Sequence, residues 1–210
     1  MIKSMGETES DFDVLLKLVI IGDSGVGKSN YLYRFVEGEF CPVHEATVGF
    51  DYKSKICYLP KSKKNVKFQI WDTAGQEKYM SINKNLFQRV QGIILMYDIT
   101  VEKSYENLAN WMTVIEQLAK NIPLILIGNK IDLEKERKIS KEKGKEFADR
   151  YNIDLFESSG KTGENVEESF IFLGEQIVRL SKNSDDKSAG GSEYIISKDT
   201  GFNNKRKKCC

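Results

Sequence analysis

The chain has 210 residues, of which 40% are apolar and 30% are charged, and its formal net charge is +1. This length suits one well-buried α/β domain and is short for two. A net charge near zero gives no sign of a nucleic-acid-binding protein, so any electrostatic attraction must come from a local cluster. Four scattered cysteines are too few for a disulfide framework or a four-ligand zinc site, which favours a reducing cytosolic setting.

The residue pattern predicts a flexible N-terminus over 1–11 and one folded domain over 12–180. The opening residues lack the apolar core of a signal peptide. No apolar run approaches the roughly 18 residues that a membrane-spanning helix needs. We therefore expect a soluble, intracellular body.

Short apolar runs alternate with segments of helical period along this domain. The runs lie at 15–21, 93–97 and 124–127. The alternation predicts a parallel sheet covered by helices on both faces. The segment 51–71 is instead typical of two strands around a loop at Pro60, so a hairpin is expected to add one antiparallel edge strand.

Two stripes of apolar residues at helical spacing are expected to face the core. They are Tyr105, Leu108, Met112, Ile115 and Ala119 in the first stripe, and Val166, Phe170, Leu173, Ile177 and Leu180 in the second.

The run GDSGVGKS at 22–29 follows the first apolar run and precedes a helical segment. Gly22, four intervening residues, Gly27, Lys28 and Ser29 fit the phosphate-binding loop pattern in the context that it requires. The glycines allow a tight turn whose N–H groups face phosphate oxygens at a helix N-terminus. We expect Lys28 to add charge at the β- and γ-phosphates and the Ser29 hydroxyl to bind Mg²⁺.

The residues of this segment that are predicted to bind the nucleotide are Asp23, Ser24, Gly25, Val26, Gly27, Lys28, Ser29 and Asn30. The pattern alone does not name the base, because ATPases and kinases share it. A glycine-rich strand-to-helix turn without a ligand is the structural alternative.

The motif WDTAGQE follows an apolar strand. Asp72 therefore stands at a strand end, where its carboxylate can hold the shell of a Mg²⁺ ion. Gly75 stands where a bare backbone can approach a γ-phosphate, and Gln76 can orient a water molecule. Taken singly, an Asp and a Gln in a glycine-containing turn are more typical of turn chemistry, so this assignment depends on the other motifs.

The motif GNKIDL follows the apolar strand PLILI, so Asn129, Lys130 and Asp132, with the adjacent Leu133, are predicted to lie at its end. A carboxylate can accept two hydrogen bonds from a base that presents N–H and NH₂ side by side, as guanine does and adenine does not. An unpaired buried polar group costs about 1–3 kcal/mol or more. Asp132 is therefore predicted to discriminate GTP from ATP.

Together with ESSGKTGENV, these motifs resemble the Ras superfamily of small GTPases over roughly residues 12–180. Within it the chain most resembles the Rab family, through its opening DFDVLLKLVIIGDSGVGKS, the runs TVGFDYK, KFQIWDTAGQE and IILMYDIT, and the final CC. The resemblance implies a P-loop NTPase α/β fold: a six-stranded, mostly parallel sheet with one antiparallel edge strand and five helices on its two faces. It also implies bound GTP or GDP with Mg²⁺, and a role in membrane trafficking.

The resemblance also assigns roles that the motifs leave open. It implies that Thr47 binds both Mg²⁺ and the γ-phosphate, and that Phe40 is the aromatic neighbour of the base. Ser159, Gly160 and Lys161 match the loop that closes over guanine. The implied metal ligands are Ser29, Thr47 and Asp72, and the implied catalytic residues are Lys28, Thr47 and Gln76.

Thr47 and Gly75 would grip the γ-phosphate, so its hydrolysis would release both of their loops. The phosphate motifs contain no arginine, so unassisted hydrolysis should be slow. An activating protein that supplies an arginine in trans is worth about 10³–10⁵ in rate. In Rabs that partner commonly brings its own glutamine, which leaves the stimulated role of Gln76 open.

The resemblance further implies an exchange factor, a dissociation inhibitor or escort protein, and effectors, for a domain that is monomeric and binds no nucleic acid. Two departures limit what can be carried over. Gly160 stands where Rabs usually have alanine, and residues 77–92 depart from the usual Rab run, so effector and exchange-factor identity stay open.

The tail over 181–210 is polar, rich in Gly and Ser, and without period, which predicts disorder. It ends in KRKKCC, which is no C-a-a-X box because nothing follows the cysteines. A solvated charge run with idle thiols and a vicinal thiol pair for redox or metal chemistry are the alternatives.

Resemblance to Rab tails favours geranylgeranylation of both Cys209 and Cys210. Two lipid chains meet the requirement of two signals for stable anchoring, and four basic residues add about 1 kcal/mol each near an anionic leaflet. The expected location is the cytoplasmic side of intracellular membranes, with cycling through the cytosol.

Two rival functions stay open from the sequence. One is a module of the same fold that binds nucleotide as a scaffold and hydrolyses it slowly or not at all. The other is an ATP-using P-loop enzyme, which Asn129, Lys130 and Asp132 disfavour.

Overall fold

A computed structural model describes residues 11–42, 50–73, 87 and 89–185. The strands are β1 (Val14–Ile21), β2 (Phe50–Leu59), β3 (Lys64–Thr73), β4 (Gly92–Asp98), β5 (Leu124–Asn129) and β6 (Asp154–Ser158). Within these ranges the α-helices are α1 (Lys28–Glu37), α2 (Glu102–Glu106), α3 (Leu108–Leu118), α4 (Lys141–Tyr151) and α5 (Val166–Asp185), and a 3₁₀ helix covers Ile131–Glu136.

The six strands form one sheet in the order β2-β3-β1-β4-β5-β6. Strand β2 runs antiparallel to β3, and every other neighbouring pair is parallel. Strands β2 and β3 form the predicted hairpin, whose turn includes Lys63 in the left-handed region at φ 53°. The predicted fold class, including the antiparallel edge strand, is confirmed.

Two apolar layers cover the sheet. Helices α1 and α5 pack on one face, where the Phe170 ring stacks on Phe35 with centroids 3.8 Å apart. Helices α3 and α4 pack on the other face, where Trp111 is fully buried. Strands β4 and β5 are buried along their whole length because both faces are covered, which explains their continuous apolar sequence.

The first predicted apolar stripe is confirmed, since Leu108, Met112, Ile115 and Ala119 are all buried and Tyr105 packs against them. The second holds through Ile177, but Leu180 is 47% exposed, so its prediction as core is wrong. Among the residues of α5 whose burial is described, Val178 is the last buried one. The helix continues to Asp185, past the predicted domain end at 180.

Within the described ranges, no helix combines the length and the apolarity needed to cross a bilayer.

Candidate functional site

The strand register brings the predicted motifs to one edge of the sheet. Asp72 of β3 pairs with Ile20 of β1, and Asn129 of β5 lies between Asp98 of β4 and Ser158 of β6. All these positions are at or near the carboxyl ends of parallel strands. In open α/β sheets this edge is where ligands bind.

The loop between β1 and α1 depends on glycine at two close approaches. A Cβ atom on Gly22, whose φ is +140°, would lie 2.2 Å from the carbonyl oxygen of Met96. One on Gly27, at φ +96°, would lie 2.6 Å from Nδ2 of Asn129. Gly27 is also the N-cap of α1 and supplies no capping side chain, so no side chain competes for the first N–H groups of that helix.

Lys28 lies at the centre of this loop and is 5% exposed. Its Nζ donates to the carbonyl oxygens of Gly22 at 2.8 Å and Asp23 at 2.7 Å. The loop therefore wraps around a buried ammonium group, and its N–H groups and this cation together form a positive centre suited to a polyanion.

Asp23 uses its carboxylate elsewhere. The side chain is buried and accepts hydrogen bonds from Nδ2 of Asn107 at 2.6 Å and from Nε1 of Trp111 at 2.9 Å, which fastens the loop to α3. Val26 likewise points its side chain into the core. Only the backbones of these two residues remain for the predicted phosphate contact, whereas Ser24 and Gly25 are exposed.

The two described residues among the predicted metal ligands are in direct contact. The Ser29 hydroxyl donates to Oδ2 of Asp72 at 2.5 Å, although the two residues are 43 positions apart, and Asp72 is 4% exposed. A hydroxyl and a carboxylate at one point are hard oxygen donors of the kind that Mg²⁺ prefers, so these residues fit that ion. Thr47, Gly75 and Gln76 lie outside the described residues, and their roles stay predictions.

Asn129 bridges the phosphate loop and the loop after β6. Its Nδ2 donates to the carbonyl oxygen of Val26 at 2.8 Å, and its Oδ1 accepts from the N–H of Gly160 at 3.1 Å. The side chain is 2% exposed. Because both ends of this amide are used, Asn129 holds two loops at a set separation.

Lys130 joins the same network from the left-handed region, at φ 72°. Its Nζ donates to the carbonyl oxygen of Gly25 at 2.8 Å and lies 2.6 Å from Oδ2 of Asp98. Asp98 is buried, and its Oδ1 accepts from both the N–H and the hydroxyl of Thr100. Sequence reasoning missed Asp98, although a carboxylate that ends the apolar strand IILMYD was a usable signal.

Asp132 lies against the loop predicted to close over the base. Its Oδ1 accepts from the Ser159 hydroxyl at 2.6 Å, and Nζ of Lys161 is 3.9 Å from its Oδ2. Ser159 is fully buried, and its oxygen also accepts from the N–H groups of Lys161 and Thr162. The two motifs that were predicted to recognise one base are thus in contact.

For three further residues that are predicted to contact the nucleotide, the structure shows only partial burial. Leu133 is half-buried in the 3₁₀ helix, and Phe40 is half-buried after α1. Asn30 is half-buried too, and its Oδ1 is enclosed with no hydrogen-bond partner among the residues that the structure describes. The contacts of all three with a nucleotide stay predictions.

The chain is similar to known proteins over most of its length. A family model described as "Ras family" matches residues 17–179. "Ras-related protein Rab-15" of Homo sapiens is 43% identical over 172 residues, which cover 81% of this chain and 80% of that protein. "GTP-binding protein ypt2" of Schizosaccharomyces pombe is 40% identical over 200 residues, which cover 95% and 98%. "Ras-related protein RABE1e" of Arabidopsis thaliana is 40% identical over 208 residues, which cover 96% and 94%.

The fold and the converging motifs define a P-loop small GTPase. They disfavour the alternative of an ATP-using P-loop enzyme. The chain belongs to the Ras family, as one of its Rab-type small GTPases. The resemblance found in the sequence is therefore confirmed.

Proposed function

We propose that this chain regulates vesicle trafficking as a Mg²⁺-dependent switch between GTP and GDP, with a guanine pocket at the ends of β5 and β6. The observation that carries the proposal is the double bridge made by Asn129, which ties the phosphate loop to the loop after β6. Because this bridge holds the two loops next to each other, one ligand can contact both of them. A nucleotide would do so with its triphosphate at one loop and its base at the other.

At the phosphate end, Lys28 and the N–H groups of the glycine loop would bind the β- and γ-phosphates. Ser29 and Asp72 would hold Mg²⁺ together with Thr47. A bound Mg²⁺ would neutralise charge that develops on the phosphate oxygens. Lys28 is buried and its Nζ donates to two carbonyl oxygens of this loop, which holds its charge within the loop.

At the base end, the Ser159 hydroxyl holds the Asp132 carboxylate, whose side chain is 12% exposed. A carboxylate held in this way would accept the N–H and NH₂ groups of guanine. Adenine does not present this pair of donors, and a polar group that loses its partner in a pocket costs about 1–3 kcal/mol or more. Phe40 would lie beside the same base.

Hydrolysis would use Gln76 to orient the attacking water, while Thr47 and Gly75 hold the γ-phosphate. Without an arginine in these motifs the unassisted rate is expected to be slow, so a GTPase-activating protein completes the site. An exchange factor would recognise the loops in their GDP-bound state, and effectors would recognise them in their GTP-bound state.

Single-turnover hydrolysis of radiolabelled GTP with Mg²⁺, with unlabelled ATP or GTP as competitor, tests this function. We expect slow release of phosphate that EDTA abolishes and that excess ATP leaves unchanged. Binding of GTP without any phosphate release would support the scaffold alternative, and equal competition by ATP would contradict the role of Asp132. If Gln76 orients the attacking water, Gln76→Leu is expected to lose unassisted hydrolysis.

The tail carries a separate part of the proposal. Cys209 and Cys210, which lie outside the described residues, would each carry a geranylgeranyl chain, and the basic run Lys205–Lys208 would add attraction to an anionic leaflet. A monomeric domain would then cycle between the cytoplasmic side of an intracellular membrane and a cytosolic complex with a dissociation inhibitor or escort protein.

The intact mass of the protein isolated from its own cells tests this anchor. Two added lipid chains are expected, together with release from membranes when Cys209 and Cys210 are deleted. Unmodified cysteines in the membrane-bound protein would refute the anchor and leave the nucleotide site untouched.

A further inference from the structure

One arginine outside the predicted motifs connects the segments on either side of the base pocket. Arg34 lies in the last turn of α1. Its Nε donates to the carbonyl oxygen of Gly160 at 3.2 Å, its Nη1 to that of Gly38 at 2.6 Å, and its Nη2 to that of Lys161. All three guanidinium nitrogens are therefore used on backbone oxygens of two different loops.

The first of these loops, Ser159–Lys161, is held from both sides. Asn129 accepts the N–H of Gly160, and Arg34 donates to its carbonyl oxygen. The loop also lies directly against α1, because a Cβ atom on Gly160 would be 3.3 Å from both N and Cα of Tyr31. Arg34 therefore fastens this loop to the same helix that begins at the phosphate loop.

The second loop begins where α1 ends. Gly38 takes the left-handed conformation at φ 75°, and its N–H donates to the carbonyl oxygen of Arg34 at 3.0 Å. The Arg34 side chain returns to the carbonyl oxygen of the same glycine. These two hydrogen bonds between Arg34 and Gly38 set the direction in which the chain leaves α1 toward Phe40, the residue proposed to lie beside the base.

The geometry points to Arg34 as a positioning residue for nucleotide retention. It sets the separation between the segment that carries Phe40 and the loop Ser159–Lys161, and so limits how fast a bound guanine nucleotide leaves. The inference rests on the proposed guanine pocket. A planar guanidinium can serve three carbonyl oxygens in one fixed fork, which a lysine ammonium cannot reproduce.

The test is the rate at which a fluorescent GDP analogue dissociates from Arg34→Met, Arg34→Lys and the unchanged protein, in excess Mg²⁺. We expect dissociation from Arg34→Met to be about tenfold faster or more, and Arg34→Lys to recover part of the loss. The factor should be similar for GDP and for a non-hydrolysable GTP analogue, because Arg34 contacts the base end and not the γ-phosphate end.

Arg150→Met is the matched control. Arg150 also lies in the last turn of a helix, α4, and is exposed. Its removal changes the net charge and the helix end in the same way, and the dissociation rate is expected to stay within about twofold of the unchanged protein. Tyr31→Phe is a second control, because it removes the hydrogen bond between Tyr31 of α1 and Ser169 of α5 and leaves the three Arg34 contacts in place.

Arg34→Met that releases GDP at the unchanged rate would overturn the inference. The inference would also be overturned if Tyr31→Phe released GDP as fast as Arg34→Met does and lost the same unfolding free energy. Arg34 would then only stabilise the fold. Failure of the unchanged protein to retain GDP is a different result, since it refutes the proposed function together with this inference.

Discussion

The loop between β1 and α1 and the segments after β5 and β6 lie side by side, but they are built in different ways. The phosphate loop depends on bare backbone, since Gly22 and Gly27 leave no room for a Cβ atom. The segments after β5 and β6 depend on side chains, since the Ser159 hydroxyl donates to the Asp132 carboxylate and Oδ1 of Asn129 accepts from the N–H of Gly160.

The difference follows from what each part would recognise. A phosphate presents oxygens on all sides, so a ring of N–H groups and one cation suffices, and side chains would only obstruct the approach. A base differs from other bases in a few donors and acceptors, so its recognition needs fixed side-chain groups. Substitutions should therefore act through folding at the phosphate loop and through ligand choice at the base end.

The largest effect is expected at Gly22. Gly22→Ala would force a Cβ atom to 2.2 Å from the Met96 carbonyl oxygen at a φ of +140°. We expect the free energy of unfolding to fall by about 4 kcal/mol or more in urea denaturation.

Gly25→Ala is the matched control for Gly22→Ala. Its φ of +79° is also strained for alanine, but nothing lies within 4 Å of the added atom. A loss of only about 1–2 kcal/mol is expected there. Equal losses at the two glycines would contradict close approach as the reason for Gly22.

Asp132→Ala should change ligand choice more than stability. It removes the carboxylate that Ser159 holds, so we expect GDP affinity to fall by about 3 kcal/mol, roughly a hundredfold or more, while ADP affinity stays the same. Isothermal titration with both nucleotides measures this directly. A parallel fall for GDP and ADP would mean that Asp132 supports the pocket without reading the base.

Trp111→Phe tests the tie between the phosphate loop and α3. It leaves one oxygen of the buried Asp23 carboxylate without its donor and also shrinks a fully buried side chain. We expect the free energy of unfolding to fall by about 2 kcal/mol. An unchanged urea midpoint would show that the Asn107 contact alone satisfies Asp23.

The smallest effect is expected at Tyr97. Its hydroxyl is buried against Gly128 and Gly144 and has no hydrogen-bond partner among the residues that the structure describes. Burial accordingly raises the pKa of this phenol well above its ordinary value. Tyr97→Phe is expected to be neutral or slightly stabilising.

Tyr31→Phe is the contrast for Tyr97→Phe, because the Tyr31 hydroxyl lies 2.6 Å from the hydroxyl of Ser169. We expect this variant to lose about 1 kcal/mol of unfolding free energy. Thermal unfolding of both variants distinguishes them, and a larger loss in Tyr97→Phe would show that its hydroxyl has a role.

Much of the fold was predictable, because strand ends and helix starts carry local signals. The motif at Ser29 and the strand that carries Asp72 near its end were each visible in the sequence, and parallel strands then bring their carboxyl ends together. The exposure of Leu180 was not predictable, since its spacing fits the same apolar stripe as the buried Ile177.

The hydrogen-bond partners of the motif residues were harder to predict from the sequence. Asp23 was predicted to bind the nucleotide, and its carboxylate accepts from Trp111, 88 positions away, while Arg34 donates to Gly160, 126 positions away. A motif states which residue types a turn needs. It does not state where each side chain points, because that depends on helices packed from distant parts of the chain.

The most direct test of the account is competition for bound fluorescent GDP by unlabelled GDP and ADP, with Mg²⁺ present. We predict that GDP displaces the probe at concentrations at least about 10³-fold lower than ADP does. Displacement by both nucleotides at the same concentration, or failure of the probe to bind, would contradict a guanine pocket built on Asn129 and Asp132.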